Sequence, residues 1–576
     1  MRSQARSLAL IECLAIASCA HAERRFPLRE PFWQDGDLGS VIAPCHVEPT
    51  ATDPRHVSCA PRAYVSPQFW DEADNVLFRP LSQTLGIALS DESVDVNSLD
   101  EVPDSSWFTN RLGVRPMSRD ELVLGACDSS LRIEADSATD GSWVIDKGKT
   151  SGNSPGFRVN IPGKGRYLFK LDDPDQPELS SAATVIASAA YHAVGYNTTC
   201  EQVVYFKPST LKLTRGLRYK FSTLGDERDF DREALDRILR AAPRRGDSVR
   251  MLASAWLPGR LLGPFRCEGM RADDPNDVVP HEDRRELRAD RLLAAWLGHV
   301  DSNEKNGMDI WLANRPSDPD SSPGRVVHSY LDWGDCLGAN WPQEAITRRM
   351  GYSYIVDWGD IASDFLTLGV PLRPWDRNRV AGYEVFGYFD ADHFVPDRWK
   401  NEYPNPAFAR MTERDAAWMA RILARFTPEM VLALAEAGRF TDPRNTAYVA
   451  RVLEGRLERI LERYLTRLSP IASVQIERGD RLCAVDLAAS RRVRKSDGFR
   501  YVVRMDGGVI LPVAKGEGAR LCVDLGHVAR DGGEPDDAPS RYVHVALQDG
   551  VSEAPLRVHL YDLGPTRGYR LVGIER

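Results

Sequence analysis

Several signatures that would identify a chemistry quickly are missing from this sequence. It has no Cys-x-x-Cys pair and no His-rich spacing, which removes the usual zinc frameworks. It has no His-Glu-x-x-His string, which removes the common helix-borne metallohydrolase site. No internal repeat or extended low-complexity tract occurs, so a repeat array is excluded. Beyond the N-terminal leader region, no stretch approaches the roughly 20 apolar residues that a membrane-crossing helix needs. Cysteine is sparse: ten in 576 residues is far below the density of a disulfide scaffold. Even so, Cys45 and Cys59 lie close together, and Cys483 and Cys522 fall in one β-rich stretch, so each pair is able to form a disulfide in an oxidising compartment.

What is present is an ordinary globular composition, 43% hydrophobic and 27% charged. The length predicts two to four domains rather than one core. A net charge of −9 argues against a dedicated nucleic-acid binder. Arg284, Arg285, Arg288 and Arg291 form either a local basic patch or a solvated helix face. Residues 1–22 read as an export or lipoprotein signal. Arg2 and Arg6 form a basic start, Leu8 to Ala20 is largely apolar although Glu12 interrupts it, and Ala20-His21-Ala22 fits a cleavage site. Ile16-Ala17-Ser18-Cys19 offers a lipobox instead, with Cys19 as a lipidated membrane anchor. Either option predicts a periplasmic or envelope location.

Residues 23–140 show no clear period and read as an irregular accessory region. From residue 141 the pattern sharpens. Ser142 to Ile145, Phe157 to Asn160 and Arg166 to Leu171 read as strands, followed by an Ala-rich helix over about 177–194 that Gly195 ends, and by a strand from Gln202 to Phe206. Residues 230–300 read as mainly helical. A hairpin follows, with strands at Met308 to Leu312 and Arg325 to Leu331, and residues 407–468 are helical. After Pro470 short alternating strands predict a terminal β sandwich over 471–576. The acidic turn Asp273 to Asp277, with His281, reads as a helix-entry loop, because its spacing does not fit the EF-hand.

Four pieces fall in a meaningful order. The Gly-containing turn 147–157, with Gly152 and Gly156 and with Lys147 and Lys149, allows backbone amides to approach an anion closely. Lys170 stands in an otherwise apolar strand, which is costly unless it is paired; it either snorkels from a strand edge to solvent or pairs, with Glu178 at the start of the next helix as the natural candidate. Asp301 and Asn306 are five apart in a loop between a helix and a hairpin. Asp332 opens the run Asp332-Trp333-Gly334-Asp335 at the end of a strand. A second Asp-Trp-Gly-Asp run begins at Asp357, but no such loop precedes it.

This order resembles the atypical kinases: the HipA-type bacterial kinases, the phosphatidylinositol kinases and the secretory-pathway kinases. Those groups keep the Asp and Asn of the catalytic loop without its His-Arg-Asp string, and carry the metal Asp on a hairpin. The resemblance covers about 200 of the 576 residues. It implies an α+β fold: a bilobal kinase-like domain, with an N-lobe over 141–210 and a helical C-lobe over 211–470, joined to the terminal β domain. It implies ATP and Mg²⁺ as cofactors. Lys170, Glu178, Gly152 and Gly156 would then bind nucleotide, Asp301 with Lys170 would be catalytic, and Asn306 and Asp332 would hold metal. The implied function is phosphotransfer to a hydroxyl on a protein, lipid or small-molecule acceptor. The alternative is a catalytically inactive kinase-like scaffold of the envelope.

Overall fold

The computed structural model describes residues 25–85, 91–150, 154–220, 226–339, 348–377, 384–493, 500–527, 529, 531–532 and 534–576. The leader with Cys19, and Gly152, lie outside the described residues. The architecture is mixed helix and sheet, of α+β type.

A short helix, α1 (Arg119–Leu124), precedes the first sheet. That sheet is built from β1 (Trp143–Gly148), β2 (Gly156–Ile161), β3 (Gly165–Lys170), β4 (Glu201–Phe206) and β5 (Ser248–Ala255). Their spatial order is β4-β5-β3-β2-β1, each pair antiparallel, and the short strand Leu211–Leu213 continues the sheet beyond β1 in parallel. Alternation sets the faces: Tyr167 and Phe169 point into one apolar core, while Lys170 points to the other side. The long helix α2 (Leu179–Val194) follows β3. It is rich in Ala and Ser and is buried nearly all round, which suits a helix packed on several sides. Asp172 supports its first turn by accepting from the Ser181 N–H at 2.6 Å.

One expectation fails here. The stretch 230–300 is not mainly helical. After α3 (Arg232–Ala241) it contains β5 and β6 (Arg260–Gly263), and helix returns only at α4 (Arg285–Leu297). Strand β5 is central in its sheet and buried on both faces, so it carries no period-two alternation to read. The arginine cluster is also different from either reading. Arg284, Arg285 and Arg288 are buried, and they meet acids rather than solvent.

Strands β6, β7 (Gly307–Ala313) and β8 (Gly324–Tyr330) form a second antiparallel sheet. Helices α5 (Glu413–Leu423), α6 (Pro428–Ala437) and α7 (Pro443–Tyr464) enclose α2 and α4 in the largest apolar core. Beyond them, Ile471–Glu477, Arg481–Asp486 and Arg520–Asp524 lie in a four-stranded sheet, and Val502–Met505, Tyr542–Gln548, Leu556–Asp562 and Tyr569–Glu575 in a five-stranded one. Both sheets feed a single core, as a sandwich requires. The accessory region binds these parts together: Phe26 packs beside His559 of the terminal sheet, and Asp100 sits among Arg285, Arg421 and Arg576.

Disulfides join Cys45 to Cys59 and Cys483 to Cys522, the two pairings open to the sequence. A third joins Cys127 to Cys200, 73 residues apart.

Candidate active site

Lys170 ends β3, with Gly156 opposite it on β2 and Leu252 opposite it on β5. A side chain at Gly156 would meet the Phe169 carbonyl oxygen at 2.2 Å, so the close approach of the two strands itself demands glycine there. The Lys170 Nζ lies 2.9 Å from Asp332 Oδ1. Burial opposes the charge on Lys170, but the carboxylates of Asp332 and Glu201 prevail and raise its pKa. Asp332 is held down by the same pair, Lys170 being the main cause.

Asp332 leaves β8 with φ of 54°, a left-handed conformation that Asp tolerates better than most residues. Two neighbours pin this kink. Trp333 is fully buried against Tyr191 of α2. At Gly334 a side chain would come within 2.7 Å of Ser180 Oγ.

Asp335 ties the kink to the Asp301–Asn306 loop. It accepts from His299 Nδ1 and from the Asp301 backbone N–H, each at 2.8 Å. Burial works against protonation of His299, but the Asp335 carboxylate raises its pKa. Asn306 donates Nδ2 to the Asp301 carbonyl at 2.7 Å, and its own carbonyl accepts from the Leu331 N–H at 2.9 Å. Loop and hairpin end are therefore bonded at both Asp301 and Asn306, beside Asp332.

Asp301 is half-buried; burial, with repulsion from Asp335, pushes its pKa up. Its second carboxylic neighbour is Glu402, which burial and the Asp301 charge push to about 10. Burial and the Asp301 charge both favour the protonated form of Glu402, and the two carboxyl groups share a hydrogen bond. Lys305, inside the same loop, turns away and pairs with Asp71 at 3.0 Å.

Lys149 adds a second cation at the turn. It donates to the Ser154 carbonyl at 2.6 Å, and burial together with Lys170 lowers it to about 8. The string Gly152-Asn153-Ser154-Pro155-Gly156 also matches the Gly-x-Ser-x-Gly of a hydrolase nucleophile elbow. Ser154, however, stands between β1 and β2, and no helix follows it as an elbow requires.

Glu178 does not partner Lys170. Its backbone is left-handed at the start of α2 (φ 69°), and its carboxylate accepts from the Thr441 N–H at 2.8 Å and from the Thr441 hydroxyl at 2.5 Å. The acid on the lysine's face of the sheet is Glu201. Leu252 of β5 is opposite both Lys170 and Val203, and Ser254 is opposite Glu201, so cross-strand register brings the pair to one face. The Glu201 carboxylate accepts from Thr199 and Ser254 hydroxyls, each at 2.5 Å.

Burial raises Glu201 to about 7 from an ordinary 4.5, with Lys170 opposing. A carboxyl raised in the folded state binds its proton more tightly folded than unfolded. Stability therefore falls as pH rises from about 4.5 to 7 and stays lowered above that. Glu201→Gln removes the cost. It is expected to stabilise the chain by up to about 3 kcal/mol at pH 8 and hardly at all at pH 4.5. Urea melts at the two pH values decide this, and an equal effect at both would show that the Glu201 charge is not the cause.

Sequence reasoning missed Glu201, Asp335 and Glu402 as parts of the site. Asp335 lay within a run already singled out. Glu201 and Glu402 carry no local signal, because each reaches its partner only through the fold.

No protein-family model matches this chain, and neither does any curated protein or solved structure.

Proposed function

We propose that the chain is an ATP- and Mg²⁺-dependent phosphotransferase of atypical kinase type, acting on a hydroxyl acceptor. The observation that carries this reading is the 2.9 Å pair between Lys170 and Asp332, with the Asp301–Asn306 loop bonded to the same hairpin end. The strand order β4-β5-β3-β2-β1, with a helix entering between β3 and β4, supports a kinase-like N-lobe, one that takes in β5 and so reaches past 210 to 255. The β6-β7-β8 sheet and helices α4 to α7, up to 470, then form the second lobe.

The donor set fits the two cofactors. Mg²⁺ takes hard oxygen ligands, which the Asp332 carboxylate and the Asn306 carboxamide oxygen supply. Lys170 and Lys149 supply positive charge for phosphate oxygens. In this reading the protein's work is positioning and charge neutralisation. Asp301 would orient the acceptor hydroxyl and take its proton, and ATP held by Lys170, Lys149 and the metal would supply the phosphoryl group. Protonated Glu402 steadies the Asp301 carboxylate. Asp335 sets the loop through His299 and the Asp301 N–H.

Three disulfides support an oxidising compartment, in keeping with an exported protein of the periplasm or envelope. Anchoring through Cys19 belongs to the same proposal. The acceptor is a protein, a lipid or a small molecule bearing a hydroxyl.

The test is ATP turnover by the purified chain with Mg²⁺, read as labelled phosphate released or transferred to the chain itself. Asp301→Asn is expected to lower turnover about a hundredfold or more, the range for a positioned general base. The rise in melting temperature given by MgATP should remain. Undiminished turnover in the variant refutes the role of Asp301. Nucleotide binding without turnover in the wild type assigns the chain instead to the inactive kinase-like scaffolds.

A further inference from the structure

Strand β4 pairs with β5 along one edge. Along its other edge runs the segment that follows α1, held by two hydrogen bonds: Ile133 N–H to Gln202 Oε1 and Gln202 Nε2 to the Leu131 carbonyl, each 2.9 Å. The same segment carries Cys127, which is disulfide-bonded to Cys200. Cys200 sits between Thr199, a hydrogen-bond donor to Glu201, and Glu201 itself. Its carbonyl accepts from the Ala255 N–H at 2.9 Å, and the Thr199 carbonyl accepts from Ser188 of α2 at 3.1 Å. The entry to β4 is thus fixed from three sides: by β5, by α2 and, covalently, by Cys127. Both bonded cysteines are buried.

We infer that the Cys127–Cys200 disulfide is a positioning element of the nucleotide site, holding Glu201 on the face of the sheet where its carboxylate steadies the Lys170 ammonium. The inference rests on the proposed role of Lys170. A covalent clamp is suited to this place. The Glu201 carboxylate is buried beside its charge partner, and a small shift of the strand entry takes it away from Lys170 while the lysine keeps Asp332. Reduction of the bond by a dithiol delivers two electrons and two protons. It yields the Cys127 and Cys200 thiols and the cyclic disulfide of the reductant, and leaves the strand entry held by hydrogen bonds alone. The other two bridges do not touch this region: Cys45–Cys59 staples a two-stranded turn, and Cys483–Cys522 joins neighbouring strands of the terminal sandwich.

The experiment compares the wild-type chain with Cys127→Ser/Cys200→Ser, with Cys483→Ser/Cys522→Ser as control, and with Glu201→Gln. Two readouts are taken: the MgATP dissociation constant by calorimetry, and, without nucleotide, the rate at which an amine-directed acylating reagent modifies Lys170, followed by mass spectrometry. Cys127→Ser/Cys200→Ser is expected to weaken MgATP binding about tenfold and to speed Lys170 acylation at least threefold. Glu201→Gln is expected to do the same, and combining the two changes should add little, because both act through one carboxylate. The control is expected to lower the melting temperature without moving either readout. Binding and acylation within twofold of wild type in Cys127→Ser/Cys200→Ser, or fully additive effects with Glu201→Gln, would overturn the inference. A wild-type chain that binds no MgATP refutes the nucleotide site, whereas the acylation rates still decide whether the disulfide positions Lys170.

Discussion

MgATP is expected to raise the melting temperature of the wild-type chain, and Asp332→Ala is expected to abolish that rise. A ligand that binds only the folded state at a hundred times its dissociation constant stabilises by about 2.7 kcal/mol, and the variant should lose all of it. Two effects coincide at this residue. Its carboxylate is the charged member of the proposed metal pair, and it is the hydrogen-bonded partner of Lys170. Without it the lysine keeps only the more distant Glu201, and the hairpin end offers a metal only the Asn306 oxygen. The loss should not come from unfolding. The Asp332 side chain is half-exposed, and an ion pair open to solvent on one side contributes roughly 1 kcal/mol or less. The ligand-free melting temperature should therefore stay close to that of the wild type, which differential scanning fluorimetry measures in the same experiment. A full nucleotide-dependent rise in Asp332→Ala would remove this residue from the site. Asp332→Asn separates charge from shape: it keeps the left-handed turn, since Asn adopts it readily, yet should bind almost as poorly.

The largest expected effect on stability lies elsewhere. Asp100→Ala is expected to cost about 3–5 kcal/mol, the range for removing one partner from a buried ion cluster. The Asp100 carboxylate meets Arg285 at 2.7 Å, Arg576 at 3.0 Å and Arg421 at 3.3 Å, and all three arginine side chains are at most 4% exposed. Arg285 retains Asp415 and Arg421 retains Glu101, but Arg576 is left with the Ser469 and Ile471 carbonyls, so the variant leaves buried positive charge under-compensated. The cluster joins the accessory region to α4, α5 and the end of the last strand. Its loss should therefore appear as one cooperative drop in the chemical denaturation midpoint.

The same cluster has a signature in acid. Burial alone would raise the pKa of Asp100, but the three guanidinium groups outweigh it and hold the carboxyl well below the usual range. A depressed carboxyl adds stability above its unfolded pKa and surrenders it as pH falls toward the folded value. Wild-type stability should thus drop more steeply than that of Asp100→Asn below about pH 4. Parallel curves would show that folding does not lower the pKa of the Asp100 carboxyl.

Much of the site was legible from local pattern. Strand alternation around Lys170, the helix that Gly195 closes, the loop spacing of Asp301 and Asn306 and the hairpin leading to Asp332 all leave marks within a few residues of themselves. The cysteine pair 45–59 was readable from its closeness in the chain, and 483–522 from its place in one β-rich stretch. The bridge at Cys127 was not, since its partner is 73 residues away. Strand β5 was read as helix because burial on both faces erases the alternation that distinguishes a strand.

The partner of Lys170 separates the two levels most clearly. The sequence by itself determined that a lysine stands in an otherwise apolar strand, where an ammonium must either reach solvent or find a carboxylate, because an unpaired buried charge is too costly. It also determined the order of turn, lysine, helix, loop and hairpin acid. Only the tertiary structure decided which carboxylates answer. Glu178, nearest in the chain, is turned to Thr441 by the left-handed start of its helix. Asp332, 162 residues on, and Glu201, brought round by the register of β4 on β5, stand there instead. The arginines of α4 follow the same rule. Their spacing placed them on a helix, but whether that helix met water or acid depended on Asp37, Asp100 and Asp415, which the chain brings in from far away. Charge pairing falls off with distance in space and not in sequence, so a local reading finds the groups that need partners while the packing of distant segments selects the partners.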